Sequence, residues 1–492
     1  MVHSTEVIVD PLVQRHEPCI FQFETGRSAV NVPRKRGRPK GSVHPTRTKN
    51  TVAGLRGTFD FVLMNGQSKV TDKDTRKIIR RRAMINYGQP KKRKTRDNEY
   101  QEYMREISIL PEISGADPFN NFSVHIEPYM QDLFKFYITT GWKAFYSVEK
   151  YTSFNPMIDY WLEMAMSDSA FFHTLIGCAD SYISPKGFKR NRPATIKHLN
   201  EAISIVNKRI EREEIPTDAT LVVVATMACV EKSRGIHDNW VVHMKGLKQL
   251  VDLRGGISTL ESQPLLMNKL YRADLSGSLD AVTNPYFSNG GITMIAPVEK
   301  KSLNAGFAGL TTLALLDISL ILCIETLTDA LILKKNLVKT RDHVDAATLR
   351  YLVTTTQYTL LSHEFSDWTN EAIRLALIML SSIIVNEDVQ YYVYDMLVAK
   401  LWEFYESHIR PLETLDLSTD LKLWVFSLAS ICAGEEVLET KCVRELRRAS
   451  LDLEVREWDG VEQVLRSFLW NECLGIGKLR ALYEGSGDAI SE

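Results

Sequence analysis

The residues with the most specific chemistry lie near the N-terminus, where residues 33–41 read PRKRGRPKG. At its centre, Arg36-Gly37-Arg38-Pro39, each residue type has a physical use. Gly37 carries no side chain, so the backbone can approach the floor of a narrow groove. Pro39 restricts its own φ and the conformation of Arg38, favouring an extended chain along which Arg36 and Arg38 lie in opposite directions. The minor groove of A·T-rich DNA is narrow and strongly negative, which selects for inserted arginine. The exocyclic amine of G·C pairs would obstruct the same fit. Sequence-selective contact with the minor groove of A·T-rich DNA is therefore expected of this segment.

The stretch closely resembles the AT-hook family, whose core is Arg-Gly-Arg-Pro flanked by Lys or Arg. The resemblance covers about nine residues and implies that Arg34, Lys35 and Lys40 contact phosphates on either side of Arg36, Gly37, Arg38 and Pro39. A solvated nuclear-import signal is the plainer reading of the same residues, and the two are compatible. One hook neutralises few phosphates, so its salt slope should be no steeper than roughly −4 to −5. Useful occupancy needs further contacts. Arg76, Lys77, Arg80, Arg81 and Arg82 lie on a basic segment, RKIIRRRAMINY, which Thr71-Asp72-Lys73-Asp74 can cap as a helix. Packing and DNA contact are equally good readings of that segment. After Pro90, the run Lys91, Lys92, Arg93, Lys94 and Arg96 has the form of a nuclear-import signal, with nonspecific phosphate binding or a solvated linker as alternatives.

Charge is distributed accordingly. From Asn31 to Arg96 there are 20 basic and three acidic residues, a net of +17, while the other 426 positions hold 40 basic and 58 acidic residues, a net of −18. Polyanion binding is expected of the arm, and the acidic remainder should be repelled by nucleic acid or an anionic membrane. Residues 1–58 are read as a disordered basic arm, since Gly, Pro, Ser, Thr and basic residues dominate 31–58 and offer little apolar surface to offset chain entropy. Residues 59–110 form a basic linker or helix, 111–480 a helical domain, and 481–492 a flexible tail.

The domain's fold class is all-α. Met130, Leu133, Phe134, Tyr137 and Ile138 recur at helical spacing. Thr217-Asp218 caps LVVVATMACV, a segment apolar on every side. Asp238 is expected to cap the next helix, whose stripe is Trp240, Met244, Leu247, Leu250 and Val251 and which Gly255-Gly256 terminates. An irregular crossover is expected from Gly277 to Ser302, and helical periods return at about 306–334, 345–363, 368–385, 388–408, 420–433 and 436–452. A last stripe, Val461 to Leu469, ends near Asn471. No repeat of fixed period is present. Leu310 to Leu333 is apolar enough to suggest a membrane span, but Asp317, Glu325 and Asp329 interrupt it. A carboxylate at the bilayer centre costs about 3 kcal/mol, so a buried core helix is expected and no membrane partner.

Several segments resemble the fungal-specific transcription factor domain: RKIIRRRAM, the opening DPFNNFSVHIEPYMQDLFKFYITTGW from Asp117 to Trp142, HMKGLKQLVDLRGGI from His243 to Ile257, and YRADLSGSL from Tyr271 to Leu279. The resemblance spans roughly residues 60 to 480. It implies an all-α regulatory domain and not a catalyst, and it allows a homodimer or a metabolite; other transcription regulators are further possible partners, and the nucleus is the expected location. Many members carry an N-terminal zinc cluster built on six cysteines. Here only Cys19 precedes residue 178, so that cluster is absent and no metal or cofactor is expected.

His237 and His243 are six positions apart without a completing Glu, and His363-Glu364 lacks a second histidine. No phosphate-binding glycine loop or nucleophile elbow is present. The seven cysteines are scattered among apolar neighbours, as thiols in a reducing compartment are, and Met1 to Asp10 lacks the pattern of a secretion signal. These readings favour a DNA-associated transcription regulator that is not an enzyme. An architectural chromatin protein, or a helical enzyme or metabolite binder, are the alternatives.

Overall fold

Helix signals in the sequence become helices because caps and apolar stripes agree. The computed structural model describes residues 122–182, 193–212, 215–287, 303–312, 315–386, 394–409, 418–471, 474 and 476–485. Among them there is no strand.

Helix α1 (Pro128–Phe136) starts on a proline and buries Met130, Leu133, Phe134 and Phe136. It widens into a π-helical turn, Tyr137–Gly141, then continues as α2 (Trp142–Phe145). A 3-10 turn, Glu149–Tyr151, and a π-helical turn, Met157–Trp161, lead to α3 (Leu162–Ser167) and α4 (Ser169–Tyr182). Next come α5 (Pro193–Glu211), α6 (Asp218–Ser233), α7 (His237–Leu253) and α8 (Pro264–Ala281). The second half holds α9 (Ala305–Thr312), α10 (Ile318–Thr340), α11 (His343–Leu361), α12 (Trp368–Val385), α13 (Asp395–Ile409), α14 (Thr419–Cys432), α15 (Glu436–Asp452), α16 (Trp458–Arg466) and α17 (Ile476–Glu484).

Neighbours in sequence pack as pairs: α4 with α5, α6 with α7, α10 with α11, and α14 with α15. Helix α8 links the α6–α7 pair to α11 and α13 by packing on all four. The Thr217 hydroxyl accepts the Thr220 N–H, which makes it the cap of α6. All five residues of the α7 stripe are buried, and Gly255 and Gly256 end that helix at φ 98° and 96°.

Four sequence expectations are corrected. Helix α7 starts at His237 with Ile236 as its cap residue, and Asp238 lies in its first turn. Leu310 to Leu333 is two helices, because the Asp317 carboxylate accepts the Ser319 N–H at 2.8 Å and starts α10 there; a short acidic side chain caps a helix better than it continues one. Gly277 lies inside α8, so the irregular connection begins after Ala281. Helix α17 extends to Glu484, into the span read as a tail. Among the described residues one helix, α12, is long and apolar enough to cross a membrane, and 89% of it is buried within the fold. Arg374 inside it is 1% exposed, paired with Glu371 on both carboxylate oxygens (2.6 and 2.7 Å) and donating to the Leu360 carbonyl (2.9 Å). A cation so matched avoids the cost of a lone buried charge.

Candidate functional site

The DNA-contacting residues Arg34, Lys35, Arg36, Gly37, Arg38, Pro39 and Lys40, and the import candidates Lys91, Lys92, Arg93, Lys94 and Arg96, lie outside the described residues. So does the basic segment from Arg76 to Arg82. Within the helical body, a cavity of about 600 Å³ lies between the Glu149–Tyr151 turn, the start of α8 and the first half of α11.

Its floor is an ion pair. Arg350 of α11 donates from Nε to Glu149 Oε1 at 2.8 Å and from Nη2 to Glu149 Oε2, with both side chains nearly buried. Burial pushes the Glu149 carboxyl up, but the Arg350 guanidinium outweighs it and holds the group below the usual carboxylate range. Phe154, Leu265, Met267, Ala346 and Tyr351 supply apolar wall, and Asn268 and Thr354 supply polar side chains.

Tyr271 closes one side of this cavity and packs edge-on against Tyr358, ring centroids 5.5 Å apart. The Tyr358 hydroxyl donates to Asp274 Oδ2 at 2.9 Å. Asp274 also accepts the backbone N–H groups of Tyr286 and Phe287, both at 2.9 Å. Fully buried, it is pushed above the usual carboxylate range by desolvation, which these donors only partly offset. Burial, with Glu261 and Asp274 nearby, pushes the Tyr271 phenol up to about 12. Next along α8, Arg272 stacks on the Tyr146 ring at 4.8 Å and donates to the Phe145 carbonyl. Segment 271–279 is thus the keel of the domain: its polar residues hold neighbouring elements in register and leave no activated nucleophile.

A second polar cluster lies between α1, α4 and α5. Tyr129 Oη is 2.9 Å from His198 Nε2, and His198 Nδ1 is 2.9 Å from His173 Nδ1, the two imidazoles stacked. One of those Nδ1 atoms must carry the proton, so the pair favours neutral rings. Burial, then His173 and Lys197, pull His198 down to about 4; His173 is also lowered by burial. His237 stacks on Trp240 and His243 is buried. Among the described residues no three His, Cys, Asp or Glu side chains are grouped to hold a metal ion.

With this architecture in view, the comparison with protein families is specific about which part is shared. Residues 132–315 match the fungal specific transcription factor domain. The segments His243 to Ile257 and Tyr271 to Leu279 fall inside the matched region, as do Glu149 and the keel helix α8. Arg350 and Tyr358, which complete the cavity and the Asp274 node, lie beyond it. Comparisons with curated proteins and with solved structures gave no match.

Sequence reasoning singled out Tyr271 to Leu279 but missed the cavity. Glu149 and Arg350 are 201 positions apart, so no local spacing joins them. A usable signal was present on α11: Arg350 follows Leu349 on a stripe with Ala346 and Val353, where a charge needs a partner.

Proposed function

We propose that this chain is a nuclear, DNA-associated transcription regulator whose N-terminal arm reads A·T-rich minor grooves through Arg36 and Arg38 and whose helical body is a non-catalytic regulatory module. The observation that carries the reading is the match of residues 132–315 to the fungal specific transcription factor domain. The arm's Arg-Gly-Arg-Pro core supplies a DNA contact in a chain without the cysteines of a zinc cluster. Self-association of the body would present two arms together and raise their effective concentration on DNA.

The test is binding of the full chain to A·T-rich and G·C-rich duplexes of equal length across a salt series, beside the variant Arg36→Ala/Arg38→Ala. The reading expects an A·T preference that the double substitution abolishes. Equal binding to both duplexes, lost entirely with salt, would reduce the arm to a basic tether.

A further inference from the structure

We propose that the cavity floored by Glu149 and Arg350 is a binding site for an uncharged, mainly apolar small molecule that carries a hydroxyl or carbonyl group. Nothing in this inference depends on the arm or on DNA. A volume of about 600 Å³ lies within the range of small-molecule sites, and the wall built from Phe154, Leu265, Met267, Ala346 and Tyr351 supplies apolar area.

The polar groups define the ligand's chemistry. Arg350 spends Nε and Nη2 on Glu149, while Nη1 meets no partner among the described residues and is available to donate. The Asn268 and Thr354 side chains line the same space, also without a hydrogen-bond partner among the described residues. A ligand oxygen would satisfy these groups.

Charge excludes other classes. Because Glu149 already neutralises Arg350, and Arg272, whose charge also reaches Glu149, is engaged with the Tyr146 ring and the Phe145 carbonyl outside the lining, a carboxylate or phosphate would meet Glu149 and Glu261 with only His343 among the lining residues to offset them. A cationic ligand would face the Arg350 guanidinium, and its attraction to the exposed Glu261 would be worth little. An uncharged molecule avoids both costs.

The test uses two fluorescent probes with one ring system, 2-naphthol, which is uncharged at neutral pH and carries a hydroxyl, and its sulfonate relative 2-naphthalenesulfonate, titrated into the full chain. Ala347 lines the cavity on the exposed side of α11, so Ala347→Trp fills the space without entering the core. Val437→Trp, at an exposed site on α15, is the control. The uncharged probe should bind saturably at one site, at least about tenfold more tightly than the sulfonate, and Ala347→Trp should weaken it about tenfold or more at an unchanged melting midpoint. Val437→Trp should leave binding unchanged. Glu149→Gln, which frees the guanidinium, should shift preference towards the sulfonate. Equal affinity for both probes would overturn the ligand class. Uncharged-probe binding unaffected by Ala347→Trp would overturn the site.

Discussion

Gly277 of α8 lies face-on to the indole of Trp240 on α7, so closely that a Cβ at position 277 would sit 2.2 Å from two of the ring's atoms. Trp240 is 1% exposed and its Nε1 donates to the Ala273 carbonyl at 2.8 Å, so the ring cannot swing away. Gly277→Ala should therefore destabilise the domain by about 1–3 kcal/mol, the usual cost of overpacking. In a Trp240→Phe background the same substitution should cost measurably less, because the smaller ring gives room. Urea titrations of the four proteins of this cycle measure the coupling, and strict additivity would show that the contact is not the source of the strain.

Asp280, at the last turn of α8, accepts the backbone N–H groups of Met396 (3.0 Å) and Leu397 (3.3 Å) at the start of α13 and pairs with Lys232 of α6. Asp280→Ala removes all three at once and strands a largely buried ammonium, a loss on the order of 3–5 kcal/mol. Asp280→Asn keeps an acceptor for the amides and should cost less. Hydrogen exchange at Met396 and Leu397 should accelerate strongly in the alanine variant and only slightly in the asparagine variant.

Three buried histidines contribute to the response to acid. Burial lowers His243 to about 4; burial, His173 and Lys197 lower His198 to about 4; and His173 is lowered as well. A base whose folded pKa is depressed binds fewer protons in the folded state than in the unfolded one. Its contribution is complete above the ordinary histidine value near 6.5 and is lost as pH falls towards about 4. The melting midpoint should hold down to about pH 6.5 and then decline, and His198→Gln should make that decline shallower. A variant with an unchanged acid limb would exclude His198 as a contributor.

Burial pushes the thiols of Cys178, Cys323, Cys432 and Cys442 up to about 12. Thiolate is the reactive form, so these four should resist iodoacetamide at neutral pH until the domain unfolds. Peptide mass spectrometry before and after urea treatment measures this, and rapid native labelling of any of the four would show local opening around it.

What was legible in the sequence was local. Thr217, the α7 stripe and the Gly255-Gly256 stop each depend on neighbours within one or two turns, and they appear where periodicity and capping rules put them. The break at Asp317 is hidden in the sequence because an acidic residue inside an apolar run counts as a membrane cost wherever it stands, whereas its short carboxylate here serves as a cap. Gly277 looked like a turn residue, yet its missing side chain makes room for an indole 37 positions earlier in the chain. The cavity was invisible for the same reason: Glu149, Tyr271 and Arg350 come from three elements distant in sequence, the Glu149–Tyr151 turn, α8 and α11, and meet only where these pack together. The arm's Arg-Gly-Arg-Pro motif lies outside the described residues, so its reading rests on the sequence alone.

Phe307 of α9, 0% exposed, is enclosed edge-on by Trp424 and Phe468, and Gly306 donates its N–H to the Ser467 carbonyl at 2.8 Å. The region shared with the family ends at 315, so these closing residues come from well beyond it. Glu149, Asp274 and Asp280 are likewise completed by Arg350, Tyr358 and the start of α13. On a ribosome moving at about 5–20 residues per second, Phe307 waits for about 160 further residues, on the order of 10–30 s, before its enclosure exists. Throughout that interval Phe307 lacks its enclosing rings and Glu149 its bidentate partner, so a fragment ending at 315 should expose both.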